Sequence, residues 1–409
     1  MCSTAHITAS VKAIEDAYRV EVTETARKLR ELLLMGQIIS NHSLVFFFLT
    51  LPDFWFSPEE EASRRNVFQI ARESPEIGRK ALELRMFGTN ILATVGRRQV
   101  HVVSVVPGGL INPLKESERN KLLKDVKNAL VRSKEGLALC KDLFETRWEE
   151  FRRVAAVKTH YMALLKAGTL DFYDGSLCVV GPEGETVEEF GPEDYMDHVE
   201  EKVLEWTYAK FAHLKKLGWP KGIMQVSSTA RMNVAQDVST PLARAEFREF
   251  RRKFGKPAHE TLLFDYARLI EMLHACEKAE ELLEDKSITR QDVRVKVTPR
   301  TGTGIGVVEA PRGTLMHRYT LTKDGRTKDL RLIIPTQINN AAININVKNA
   351  ASEFIKNGEV KIGLLNRVEM VVRAYDPCIK CATRSTGKGV VTSLEIRNHE
   401  GHIVKRLPK

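Results

Sequence analysis

Apolar residues recur at helical spacing from the start of the chain. Ile7, Val11, Ile14 and Tyr18, then Val22, Ala26, Leu29 and Leu33, advance in steps of three and four, which predicts a helix over 4–35 with a bend at Gly36. The run VFFFLTLPDFWF prolongs this apolar stretch until Pro52, which is expected to stop it. A second helical region is predicted from 117 to about 165, where Leu123, Val126, Leu130, Ser133, Leu137, Cys140 and Phe144 alternate three- and four-residue steps as a bundle seam does. That series puts Cys140 in the core, and Leu262, Tyr266, Leu269, Leu273 and Cys276 do the same for Cys276. Between them, LDFYDGSLCVVGPEGETVEEF (170–190) alternates around Gly-rich turns and reads as a hairpin with Cys178 on a strand. VTSLEI and HIVKRL, joined at NHEG, predict another hairpin near residue 409. With no internal repeat and no low-complexity linker, the expected fold class is α+β. It is mainly helical, a long-helix bundle core with small peripheral β-sheets, forming a single unit over 1–409.

Composition narrows the class. The longest apolar run, LVFFFLTLP at 44–52, is about half the ~18 residues a membrane span needs, so no membrane span is expected. No basic-then-apolar leader opens the chain, and six cysteines are too few for a disulfide scaffold, which points to a reducing, cytoplasmic setting. The net charge of +10 favours an acidic partner surface, yet the basic residues interleave with acids, as in RKLRELL and RWEEFRR, the pattern of solvated helix faces. In the densest basic stretch, RAEFREFRRKFGK (244–256), Phe247, Phe250 and Phe254 recur at helical spacing and are expected to face the core. No nucleic-acid motif accompanies them, so no nucleic-acid partner is expected.

Three stretches carry candidate chemistry. In AYDPCIKCATR, Cys378 and Cys381 form a C-x-x-C pair behind Asp376 and Pro377, a spacing that serves a shared metal or redox exchange. A zinc site wants a second Cys or Cys/His pair, and a thioredoxin-like motif belongs early in a βαβ unit, so both alternatives lose ground. In MCSTAHITAS, Cys2 stands before a helix that Ser3 or Thr4 is expected to cap, where the helix N-terminus favours a thiolate, and His6 lies one turn on. In TGTGIGVVEAPRGTLMHRY, Gly302, Gly304 and Gly306 fail the dinucleotide pattern because residue 307 is Val. Arg312, between Pro311 and Gly313, reads either as a fixed cation with directed donors or as an ordinary surface turn residue.

Taken together these stretches resemble the large, catalytic subunit of nickel-iron hydrogenases. CSTAHITASVKAIEDA continues the family's R-x-C-G-x-C pattern from its second cysteine, and DPCIKC matches its D-P-C-x-x-C. GRRQVHVVSVVPGGL, KKLGWPKG, VEAPRGTLMHRY and IPTQINNAAI look like family blocks in the family's order. The resemblance implies nickel held by cysteines and an iron that also carries carbon monoxide and cyanide. Cys2 and Cys381 would bridge the metals, and Cys378 would be a terminal nickel ligand and the base that takes a proton from hydrogen. It further implies Arg312 over the open coordination position beside Pro311, Asp376 accepting hydrogen bonds from Arg312, His6 supporting a bridging sulfur, and Asn41 with His42 near the gas-binding position. The implied partners are an iron-sulfur small subunit, further electron-transfer subunits and a maturation endopeptidase that cuts at Arg384-Ser385 to release the tail 385–409.

Departures from the pattern matter too. The first cysteine of the N-terminal motif is missing, so the resemblance implies that the chain starts inside that motif and lacks a segment, and that this 409-residue form is inactive. A magnesium-like ion at a third site belongs to the pattern, but Arg384 replaces its commoner His. VSSTARMN (226–233) departs from the usual Gly-Pro-Leu-Ala-Arg. The implied activity is reversible heterolytic oxidation of hydrogen; the alternative is a non-catalytic, hydrogenase-like scaffold subunit that has lost the complete metal site.

Overall fold

The computed structural model describes residues 2–61, 63–207, 209–356, 361–379, 393–397 and 400–408. Its helices are α1 (Ser3–Tyr18), α2 (Glu24–Leu44), α3 (Leu51–Trp55), α4 (Val67–Glu73), α5 (Pro75–Gly96), α6 (Glu116–Phe151), α7 (Tyr195–His198), α8 (Ser228–Val234), α9 (Pro241–Phe254), α10 (Leu263–Glu284), α11 (Pro335–Phe354) and α12 (Ile362–Tyr375). The strands run β1 (Val105–Val106), β2 (Gly109–Leu110), β3 (His160–Lys166), β4 (Thr169–Leu170), β5 (Ser176–Val180), β6 (Thr186–Phe190), β7 (Val199–Lys202), β8 (Phe211–Leu214), β9 (Met224–Gln225), β10 (Gly302–Ala310), β11 (Gly313–Leu321), β12 (Thr327–Ile333), β13 (Ser393–Arg397) and β14 (Ile403–Pro408).

The long helices α2, α5, α6 and α10 pack together, and α10 is buried on nearly every side, with Cys276 fully enclosed. Cys140 is fully buried on α6, Phe247 and Phe250 of α9 face the core, and Cys178 lies on β5, all as the spacing predicts. The small sheets lie around this core: β4-β3-β5-β6 with β9 parallel to β3, the antiparallel β10-β11-β12, and three two-stranded pairs. One of these pairs is the β13-β14 hairpin, with Leu394 opposite Leu407.

Several boundaries differ from the expectation. The first helix is two: Arg19 takes a left-handed backbone (φ 52°) that ends α1, and Thr23 caps α2 by accepting from the Ala26 amide at 3.1 Å. Gly36 does not bend α2; it lies where α5 crosses, and a Cβ there would stand 2.8 Å from Ile91. Pro52 does not end the apolar run. A π-helical turn over Val45–Thr50 restarts the ladder, and Pro52 then sits in the first turn of α3, where its missing N–H costs nothing. The α6 helix closes at Phe151, and the apolar residues near 160 belong to β3. The segment Glu24–Trp55 is long and apolar enough to cross a membrane, yet 78% of its most apolar window is buried against the rest of the chain, as in a bundle-core helix.

Candidate metal centre

Helix α1 lies along β10, and the contact explains the three alternating glycines. A Cβ on Gly302, Gly304 or Gly306 would stand 2.5, 2.2 or 2.1 Å from the carbonyl oxygens of Ala17, Ala13 and Ala9 respectively. The helix presents small residues every four positions and the strand presents none at every second, so the two backbones meet directly. Their run is antiparallel: the C-terminal end of α1 faces the start of β10, and its N-terminal end faces the turn Pro311-Arg312 between β10 and β11.

That arrangement brings Cys2 to Arg312. Cys2 is the N-cap of α1 and is buried, 6% exposed. Ser3 does not cap the helix; its hydroxyl accepts from the His101 amide at 3.2 Å. Arg312, 3% exposed, is no surface turn residue: its Nη1 donates to Cys2 Sγ at 2.9 Å and its Nε to the Asp376 carbonyl. Nη2 lies 2.8 Å from Asp376 Oδ2, an ion pair whose angle falls outside hydrogen-bond geometry.

Helix α12 delivers the third segment. Arg373 pairs with the buried Asp53, Arg268 donates to the Ala374 carbonyl, and the Tyr375 hydroxyl donates to Gln225 at 2.8 Å and accepts from Asn346 at 2.6 Å. Asp376 then turns left-handed (φ 50°), ending the helix. The Cys378 amide donates to Thr336 Oγ1 at 3.0 Å, at the start of α11.

Cys2, His6, Arg312, Leu315, Thr336 and Cys378 line one small cavity. Burial pushes the Cys2 thiol up against the pull of the Arg312 cation, so the helix N-terminus does not dominate its acidity as the sequence suggests. Burial also works against the Arg312 cation, but Asp376, Cys2 and Cys378 outweigh it and hold it charged. Burial likewise raises the Asp376 carboxyl, with Arg312 opposing.

The remaining expected residues divide between the cavity and its surroundings. His6 reaches the cavity, but its ring Nδ1 pairs with His317 Nε2 at 3.1 Å rather than with a cysteine sulfur. His42 is fully buried and paired with Glu271, Nε2 to Oε2 2.8 Å, and does not line the cavity. Asn41 lines a separate cavity with Ser3, Thr4 and Gln37. Pro311 stays beside Arg312, and its carbonyl accepts from Arg231 at 3.3 Å. Cys381 and the Arg384-Ser385 bond lie outside the described residues.

Sequence reasoning missed His317 and Thr336. His317 was legible as a strand position: Leu315 and His317 share one face of β11 by period two, and Leu315 lines the cavity. Among the described residues no three His, Cys, Asp or Glu side chains converge as a complete metal site. The part described still suits a soft metal. Two thiols face one enclosed space, and the fixed Arg312 cation against Cys2 partly offsets the burial that keeps its thiol protonated.

One family model and several known proteins match most of the chain. The nickel-dependent hydrogenase family matches residues 1–60 and 172–384. One of the subunits of the F420-non-reducing hydrogenase vhu of Methanocaldococcus jannaschii is 39% identical over 87% of this chain and 85% of its own length. The beta subunit of the NAD-reducing hydrogenase HoxS of Cupriavidus necator is 33% identical over 95% of this chain and 83% of its own. A crystal structure of an NAD+-reducing [NiFe]-hydrogenase in the H2-reduced state superposes with a TM-score of 0.90 at 34% identity, covering 94% of this chain and 86% of that one. Sequence and fold together thus place this chain among the large subunits of the nickel-dependent hydrogenase family, oxidoreductases acting on hydrogen.

Proposed function

We propose that the chain is the catalytic subunit of a cytoplasmic complex that oxidises hydrogen reversibly and heterolytically, passing electrons to an iron-sulfur partner subunit. The observation that carries this reading is the Arg312 guanidinium, 2.9 Å from Cys2 Sγ in the cavity that Cys378 shares. Cys2, Cys378 and Cys381 would hold nickel and an iron bearing carbon monoxide and cyanide. When bound, such a centre supplies soft, low-valent metal ions at which hydrogen is polarised and oxidised.

The protein's own residues then divide the work. Cys378 Sγ takes the proton, because it is the less buried of the two described thiols and so the better placed to pass the proton on. Arg312 places directed N–H donors at the cavity wall, where they stabilise negative charge in a space without bulk water. Asp376 keeps those donors aimed and balances their charge. His6 lines the cavity and His317 backs it, a pair of imidazoles that burial keeps neutral, His317 being held down to about 3.

The test uses the complex matured in its host. Nickel at about one per chain with hydrogen/deuterium exchange supports the reading, and Cys378→Ala is expected to abolish the exchange. Undiminished exchange in that variant refutes the role of Cys378. A stable complex with its iron-sulfur partner but no nickel supports the scaffold alternative.

A further inference from the structure

Behind the Arg312 turn lies a buried ionic group that the reading above does not use. Arg231, midway along α8 and fully enclosed, donates from Nε to Glu271 Oε1 at 2.6 Å and from Nη2 to Glu271 Oε2 at 2.7 Å. Its Nη1 donates to Glu309 Oε2 at 2.8 Å. The remaining bonds run to the Ala310 carbonyl at 3.1 Å and the Pro311 carbonyl at 3.3 Å, the two residues immediately before Arg312. Glu309 is fixed in turn: its Oε1 accepts from the Thr314 hydroxyl at 2.7 Å and from the Leu164 amide at 2.9 Å. Both carboxylates are buried beside the cation, and the bidentate fork to Glu271 allows the guanidinium one orientation.

We propose that Arg231 is a positioning residue for Arg312, clamping the Pro311-Arg312 turn from behind through the Ala310 and Pro311 carbonyls and Glu309. The turn is short, with Ala310 directly opposite Gly313 in the ladder, and it carries the donor that must reach Cys2 Sγ. Bonds on Glu309, Ala310, Pro311 and Thr314 bracket Arg312 on both sides in sequence. Stability alone is weak justification for so much buried charge, since an apolar group of the same volume is often as stable.

The inference rests on the hydrogenase reading for its catalytic consequence, but its structural part is tested apart from it. In the full chain from a nickel-starved host, Arg231→Lys is expected to raise amide exchange in the peptide 308–316 roughly tenfold, because a point charge cannot keep both carbonyls and both carboxylates. Unchanged exchange there overturns the clamp. In the nickel-loaded complex Arg231→Lys is expected to lower kcat roughly tenfold with the KM for hydrogen unchanged and nickel content retained. The double variant with Arg312→Lys should fall no further than Arg312→Lys alone, since the clamp acts only through Arg312. Multiplicative losses would mean a general effect on the fold and overturn the proposal. Glu309→Gln serves in the same measurements where Arg231→Lys yields no soluble protein, and insolubility of both assigns the network to the fold instead. A wild-type complex without exchange activity defeats the hydrogenase reading and leaves the amide-exchange result to judge the clamp.

Discussion

Arg312 makes its contacts as a planar fork, with Nε on the Asp376 carbonyl, Nη1 on Cys2 Sγ and Nη2 beside the Asp376 carboxylate. A lysine ammonium reaches one of these at a time. Arg312→Lys is therefore expected to retain nickel and lose roughly tenfold or more of the exchange rate, which isotope exchange by mass spectrometry checks. The buried histidines predict a pH effect. Burial holds His42 and His274 each at about 4 in the folded chain against 6.5 as the ordinary value. Between those values the unfolded chain binds more protons, so stability is full above about pH 6.5 and falls as the pH drops toward 4, on the order of 3 kcal/mol per histidine. Urea unfolding at about pH 7.5 and pH 5 should show it, and equal midpoints would count against it. At this scale the cysteines and Arg312 were legible because thiol spacing and a Pro-Arg-Gly turn are local patterns. The Arg231 network was not, because its partners lie 40 and 78 positions away and no local pattern links them.

The seating of α1 on β10 is the element-scale feature with the clearest test. A Cβ at Gly304 would meet backbone on two sides, Ala13 O and Ala17 N both at 2.2 Å, and backbone cannot swing away as a side chain can. Gly304→Ala is expected to destabilise the protein by about 3 kcal/mol and to lower nickel retention, because Cys2 moves with its helix. Thermal unfolding and metal analysis check both, and an unchanged melting point would show that α1 is seated otherwise. The same stretch shows what periodicity can and cannot reveal. The stretches of α1, α2, α6, α9 and α10 were readable and α5, α11 and α12 were not read, while Tyr18 and Val22 keep a four-residue step across the loop between α1 and α2, so that break left no mark in the pattern. Near 160 the apolar run HYMALLK fits a strand as well as a buried helix, and only its pairing with β5 and β9 decides. The three glycines failed as a nucleotide motif because their role is contact between two backbones, which spacing alone does not distinguish.

At the scale of the whole molecule, the cavity is assembled from residues 2–6, 310–336 and 376–378, so it exists only when distant parts of the chain have folded together. The tail beyond Cys378 bears on its completion. The β13-β14 hairpin pairs antiparallel with a register shift between Ile396 and Arg397, and if the end of the chain must fold inward over a metal, that hairpin has to be removed first. Intact-mass measurement on protein from nickel-replete and nickel-starved cells is expected to show loss of residues 385–409 only with nickel; full-length chain in an active complex would refute processing. The glycine stripe has a metric consequence. Four residues of helix rise roughly 6.0 Å and two of strand roughly 6.6 Å, close enough for the two lattices to stay in step over the three contacts from Ala17 to Ala9. The pair works as a ruler whose zero lies at Ala17 and whose reading is the height of Cys2 against Arg312. One residue inserted into α1 shifts that reading by roughly 1.5 Å and turns the helix by about 100°. The commensurate change is four residues of helix for two of strand, so in this protein the length of α1 is free to vary only together with that of β10.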